Sequence, residues 1–498
     1  MISCAGPLPE YRPEWSRKSS LLTRKGQQIS TYQKGITPMT GSRRTRATRW
    51  LALASLVAAA IPGLVSPPTA SAVPAAASVG EAFYTPPSPL PNGEPGDVIR
   101  SEPMTIALAL PNATGQIPGT ATRLMYRSTD ANGSPNAVTG TYIQSSQPWS
   151  GPGPRPVVAV AVGIQGQGDQ CAPSKLMSQL IHYTFPLDVM AEYEAVSIYP
   201  LLAQGMSVVV TDYAGLGTPA MHDYVNRASE AHAVLDSIRA AQRLPGSGVT
   251  ATTPTIVFGY SQGGGAAAAA AESQAEYAPE LPIRGTYSGA PPADLVAALI
   301  NSQSVVKGPF GNGMPGGVGI GLVGYVINGI YADYPDTRAE IDSAINPAGQ
   351  AMLREVADTC IIETVLRTFY RSLPTYTTGG RSGEQLLAVL PNFRKRIEEQ
   401  RIGNRKPMAP VLVASGGSDD VIPIGQVRQL VRDWCDKGAD VEYQETRWIP
   451  PVFPSLAIGH LLPFLPITAE AIGWVNDRLS GAPVANSCAG STSELTGP

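Results

Sequence analysis

Apolar residues along the chain fall into two recurring patterns. Pro156–Gly163 (PVVAVAVG), Ser207–Thr211 (SVVVT), Thr255–Phe258 (TIVF) and Val411–Ala414 (VLVA) are short, almost continuous apolar runs. Runs of this length, rich in β-branched residues, predict strands buried on both faces. Between them, residues 229–243 place Ala231, Val234, Leu235, Ile238 and Ala241 at helical spacing. Strands alternating with helices predict an α/β fold with a mostly parallel central sheet. Arg123–Tyr126 and Val138–Ile143 read as earlier strands around the polar turn Asp130–Gly133, and Val441–Thr446 as the last strand. Residues 296–405 break the alternation. A Gly-rich apolar piece, Met314–Ile330, and a charged helical pattern, Phe393–Glu399, predict a mainly helical cap inserted between strands. Pro86, Pro87, Pro89 and Pro91 exclude helix and central strand, so residues 73–100 are expected to form an extended arm.

Charge changes the picture at the N-terminus. The formal net charge is −3, but residues 1–72 hold ten bases and only two acids, Glu10 and Glu14. Removing these from the chain's 36 bases and 39 acids leaves 26 and 37, a net −11 for the remainder. The cluster Arg43–Arg49 precedes the apolar run Trp50–Ala60, and small residues follow up to Ala70-Ser71-Ala72. This is the layout of a cleavable secretory signal. A membrane span needs about 20 apolar residues, and this run meets Pro62 and Gly63 first. Residues 39–72 are therefore read as the signal peptide and residues 1–38, before Met39, as an over-long start. The acidic remainder gives no sign of a nucleic-acid partner, and no stable span is expected in the mature chain.

An exported chain favours disulfides. Four cysteines lie after the signal: Cys171, Cys360, Cys435 and Cys488. Of three possible pairings, Cys171–Cys360 with Cys435–Cys488 is the expected one, because the second bond ties down the C-terminal tail. The absence of Cys-x-x-Cys pairs and His clusters argues against a structural zinc site.

The strongest chemical signal is Gly259-Tyr260-Ser261-Gln262-Gly263. It follows a strand pattern and precedes Gly264–Glu272, a small-residue helix pattern, which is the setting of a nucleophile elbow. A serine hydroxyl needs a general base and an acid that orients it. His182, His222 and His232 precede the serine, whereas only His460 follows it, in Ala457-Ile458-Gly459-His460-Leu461. In the order Ser, Asp, His, His460 is the expected base, in a loop. His232 falls on the polar face of its helix and is expected to be solvated. The acid is expected at Asp419, with Asp420 the near rival, in the loop after Val411–Ala414. The backbone N–H of Gln262 is one expected oxyanion donor. For the second donor, the loops Gly163–Gly166 and Thr211–Gly217 compete, and the residues alone do not choose between them.

Several segments together resemble the secretory lipase family of fungi and actinobacteria. They are Thr211-Asp212-Tyr213-Ala214-Gly215-Leu216-Gly217, Leu235–Ala241, Gly259–Gly264, Cys171-Ala172-Pro173-Ser174 and Gly289–Leu295. The resemblance spans roughly residues 80–480. It implies an α/β-hydrolase core, in two parts over 101–295 and 406–498, with the cap at 296–405 between them. It also implies that Asp212 joins Gln262 in the oxyanion hole. Ala214 stands where the family often has Glu, and Ala161-Val162-Gly163 where a His-Gly or His-Pro pair is common.

The expectation is a secreted, monomeric triacylglycerol lipase or carboxylic ester hydrolase. It would act by a Ser261–Asp419–His460 triad, through an acyl-enzyme, without metal or organic cofactor, on a lipid or ester substrate. The alternatives are an acyltransferase or a short-chain carboxylesterase on the same fold.

Overall fold

The computed structural model describes residues 80–112, 115–185, 187–301, 319–369, 371–448 and 456–489. The expected signal peptide, the segment before it, the start of the arm and residues 314–318 of the Gly-rich piece lie outside the described residues.

The core is a nine-stranded sheet. In chain order its strands are β1 (Val98–Met104), β4 (Gly119–Thr129), β5 (Pro135–Ser145), β6 (Val157–Ala161), β9 (Ser207–Ala214), β10 (Thr255–Tyr260), β11 (Ile283–Gly289), β12 (Val411–Gly416) and β13 (Val441–Thr446). The sheet order is β1-β4-β5-β9-β6-β10-β11-β12-β13. The pairs from β9 to β13 are parallel, and those joining β1, β4, β5 and β9 are antiparallel. Two small hairpins stand apart: β2 (Leu110–Asn112) with β3 (Gly115–Ile117), and β7 (Ile181–Thr184) with β8 (Asp188–Ala191).

Each strand of the parallel centre is apolar because helices cover both faces. Every residue of β6, β9, β10 and β12 is buried. The covering helices include α2 (Pro173–Gln179), α3 (Ala195–Ala203), α4 (Arg227–Arg243), α5 (Gln262–Tyr277), α13 (Ile424–Asp436) and α15 (Phe464–Leu479). The stretch Ile458–Leu479 is apolar and long enough to cross a membrane. Its Ile467, Ala471, Trp474 and Val475 belong to the core beneath the sheet.

Between β11 and β12 the described chain forms seven α-helices: α6 (Leu295–Asn301), α7 (Gly319–Asp333), α8 (Arg338–Ala344), α9 (Pro347–Ala357), α10 (Ile361–Thr368), α11 (Gly383–Val389) and α12 (Pro391–Glu399). Their apolar faces build a second core from Ile320, Tyr325, Met352, Leu386 and Phe393, among others. The disulfides are Cys171–Cys360 and Cys435–Cys488, the expected pairing.

Three sequence expectations are corrected. The arm is not extended throughout: α1 (Glu81–Tyr84) buries Phe83 and Tyr84 against Met125 and Ala137, and Val98–Arg100 already pair in the sheet. The strand expected to end at Thr211 runs on to Ala214. His232 is only partly exposed. Its helix packs against β4 and α5, so its ring stacks on Tyr277 at 3.9 Å and its Nδ1 donates to the Thr129 carbonyl at 3.0 Å.

Candidate active site

The site begins at the end of β10, where the chain turns from strand to helix within one residue. That residue is Ser261, with φ 60° and ψ −124°. A non-glycine residue holds such a backbone only where the surroundings over-determine it. Here the Ser261 N–H donates to the Gly289 carbonyl at 2.8 Å and its carbonyl accepts from Gly265 N–H at 3.0 Å. The flanking glycines are required by close approach. A Cβ on Gly259 would lie 2.1 Å from the Gly263 carbonyl oxygen, and one on Gly263 would lie 2.0 Å from that of Ala161. The turn places Ser261 partly exposed, ahead of the α5 N-terminus.

His460 arrives from the other half of the sheet. It was expected in a loop and instead sits in the four-residue helix α14 (Ile458–Leu461), which follows Ala457 at φ 60°. Its carbonyl accepts from the Tyr260 hydroxyl at 2.7 Å, and its ring lies 5.3 Å from that of Tyr260. This fixes the imidazole beside the elbow. Its Nε2 is 2.9 Å from Ser261 Oγ and its Nδ1 is 2.7 Å from Asp419 Oδ2. The carboxylate can only accept, so Nδ1 carries the proton and Nε2 is left to accept from the serine hydroxyl.

Asp419 lies in the turn after β12. Its second oxygen accepts from Val421 N–H at 2.9 Å and Ile422 N–H at 2.7 Å, and its side chain is fully buried. Asp420 is not hydrogen-bonded to His460, and its Oδ1 lies against Gly459. Burial disfavours the charged form of His460. The charge and hydrogen bond of Asp419, with the charge of Asp420, outweigh that burial and raise the imidazole above its ordinary value. Burial and the neighbouring Asp419 charge raise Asp420 as well.

Gln262 is the first residue of α5 and is buried. Asp212 is fully buried on β9. Its carboxylate accepts from Ser174 N–H at 2.9 Å, Ser174 Oγ at 2.5 Å and Thr139 Oγ1 at 2.7 Å. These bonds commit its side chain to anchoring the Cys171–Ser174 segment. The competing loop after β6 is held differently. Gly163 N–H donates to Glu194 Oε1 at 2.6 Å, and the Tyr193 hydroxyl donates to the Ile164 carbonyl at 2.8 Å. The Gln165 carbonyl accepts from Ile361 N–H at 2.8 Å, beside Cys360 of the Cys171–Cys360 disulfide.

The structure thus brings Ser261, His460 and Asp419 into one hydrogen-bonded chain, with Gln262 adjacent. It leaves His182 on β7, 3.3 Å from Asp188, and His232 on α4. His222, set aside on chain order, lies against Gln262, with 3.2 Å between its Nε2 and Gln262 Nε2.

Comparison with known proteins finds relatives named as lipases. The chain is 27% identical over 415 residues to a secreted triacylglycerol lipase, LIP2, of Malassezia globosa, with 82% of each chain covered. It is 28% identical over 410 residues to a Mycobacterium tuberculosis protein named "Probable inactive lipase MT1628", covering 81% of this chain and 82% of that one. Its fold matches the X-ray structure of Candida antarctica lipase A with a TM-score of 0.61, at 20% identity, covering 83% of this chain and 91% of that one. The fold is that of an α/β-hydrolase. The model of the secretory lipase family matches residues 184–487, more than half of the chain, and on this evidence the chain belongs to that family.

Proposed function

We propose that this protein is a secreted serine ester hydrolase of the lipase type, with Ser261 as nucleophile, His460 as general base and Asp419 as the acid that orients it. The observation that carries this reading is the continuous chain Ser261–His460–Asp419, with both contacts under 3 Å. In this reading His460 Nε2 takes the serine proton as Ser261 Oγ attacks the ester carbonyl. Asp419 holds the Nδ1–H tautomer and stabilises the imidazolium. His460 then returns the proton to the leaving alcohol, and water deacylates the enzyme by the same route.

The oxyanion forms beside the α5 N-terminus, where the Gln262 N–H and the helix dipole favour negative charge. For the second donor we favour an N–H of the Gly163–Gly166 loop beyond Gly163, whose own N–H is held by Glu194, over the Asp212 side chain, whose carboxylate is held by Thr139 and Ser174. The exposed side chains of Leu461, Leu462 and Leu465, directly after His460, give the site an apolar rim. Such a rim suits an ester with an acyl chain. The chain needs no cofactor for this chemistry. We read α6–α12 as the cap, and place the protein outside the cell by the family it belongs to and its N-terminal signal pattern.

The test is a panel of esters of increasing acyl length, ending in emulsified triacylglycerol. Turnover of the emulsion supports a lipase. Turnover confined to short soluble esters makes it a carboxylesterase, and transfer to an added alcohol in preference to water makes it an acyltransferase.

A further inference from the structure

His222 is buried, and both its side chain and its backbone are used. Its Nδ1 lies 2.9 Å from the Ala214 carbonyl oxygen. A carbonyl only accepts, so Nδ1 carries the proton and Nε2 is a bare acceptor. That acceptor faces the amide nitrogen of Gln262 at 3.2 Å. The same amide donates to Glu230 Oε1 at 2.7 Å, which also accepts from Val225 N–H at 2.9 Å. The side chain next to the nucleophile is therefore held at two points.

The backbone of His222 faces the other wall of the site. Its carbonyl accepts from Gln167 Nε2 at 2.9 Å. Gln167 follows the Gly163–Gly166 loop and is itself tied to the helical segment. It donates to the Tyr325 carbonyl at 3.0 Å and to the Thr359 carbonyl at 3.3 Å, and accepts from Asn328 Nδ2 at 3.0 Å. The Tyr213 ring stacks on the imidazole at 6.0 Å with 12° between planes. The chain reaches this place by folding back at Gly215, φ +83°, where a Cβ would lie 2.2 Å from the Met221 carbonyl oxygen and 2.6 Å from His222 N. Burial keeps the imidazole uncharged, outweighing the bond to Ala214 and lowering it to about 4, so it remains an acceptor at neutral pH.

We propose that His222 is a positioning residue that joins the two segments supplying the oxyanion donors, the start of α5 through Gln262 and the loop after β6 through Gln167. The proposal rests on the Ser261–His460 reading above. Two segments held to one residue, the start of α5 through its imidazole and the loop after β6 through its backbone carbonyl, keep a fixed spacing between their N–H groups, and that spacing matters most when the tetrahedral oxyanion forms.

The experiment compares His222→Leu with His222→Gln, whose amide oxygen can replace Nε2 as acceptor. His222→Leu is expected to lower kcat on the order of tenfold or more with KM changed less than about threefold, because the lost interaction acts in the transition state. His222→Gln is expected to recover most of kcat at an unchanged unfolding midpoint. In a double-mutant cycle, His222→Leu combined with Gln262→Leu is expected to cost less than the product of the two single losses. If His222→Leu does not fold, Gln167→Leu cuts the link from the other wall and is expected to show the same loss in kcat. Wild-type kcat in the folded Leu variants, no recovery with Gln, or strict additivity overturns the proposal and leaves the triad reading intact. A His222→Gln variant as inactive as His460→Ala, and unlabelled by a fluorophosphonate, makes His222 the base and overturns both.

Discussion

Asp419 and His460 meet across 2.7 Å, Oδ2 to Nδ1, while the other Asp419 oxygen is held by two backbone N–H groups of its own turn. The carboxylate is thus immobile before it touches the imidazole. Removing it is expected to be costly. Asp419→Asn should lower kcat on the order of 10³-fold or more, and His460→Ala should do at least as much, in steady-state ester hydrolysis. Near-normal turnover in either variant would reassign the acid or the base.

Asp420 carries a different expectation. It raises the His460 imidazole through its charge, without a hydrogen bond to it. The base must be neutral to act, and its raised pKa places the acid limb of kcat/KM above the ordinary histidine value of about 6.5. Activity is therefore full above that limb and lost as pH falls through it. Asp420→Asn should keep most of the maximal rate and move the limb to lower pH. A limb that stays in place would mean that the Asp420 charge is screened from the imidazole.

The two disulfides should separate by function. Both close long loops, 189 and 53 residues, so chain entropy sets ceilings of about 5 and about 4 kcal/mol on what each adds to stability. Only Cys171–Cys360 adjoins the loop after β6, through Gln165 and Ile361. Replacing both cysteines of that pair by alanine should lower the unfolding midpoint and kcat together. The same replacement of Cys435 and Cys488 should lower the midpoint and leave kcat unchanged. Calorimetry with parallel kinetics reads both.

The elbow is expected to tolerate no added carbon. Gly263→Ala drives a methyl to 2.0 Å from the Ala161 carbonyl oxygen and 2.8 Å from that of Val162, backbone atoms that cannot swing aside as a side chain would. A cost of about 3 kcal/mol or more, or failure to fold, should appear in urea unfolding. A stable, active variant would show that the start of α5 can move away from the end of β6.

Much of this was legible in the sequence because it is carried by local constraints. The elbow needs glycines at fixed positions between a strand and a helix, and Gly259, Gly263 and the alanine run announce it. The four inner strands announce themselves by continuous burial. The strand β11 does not: Ile283–Gly289 reads Ile-Arg-Gly-Thr-Tyr-Ser-Gly, and its Thr286 and Ser288 are buried by neighbours that the sequence does not name. His232 was misjudged because a polar helix face was assumed to be wet, and here it meets Tyr277. The place of His222 was invisible for a related reason. Chain order excluded it as base, and only the fold-back at Gly215 brings it to Gln262. Its signal was the run of tight-turn glycines, Gly215 and Gly217, shortly before it.

The account turns on one hydroxyl. Treating the folded protein with a fluorophosphonate and mapping the adduct by peptide mass spectrometry should find one modified residue, Ser261, with Ser261→Ala unlabelled and devoid of ester hydrolysis. Equal labelling of the wild type and Ser261→Ala, or hydrolysis that survives the substitution, would contradict it.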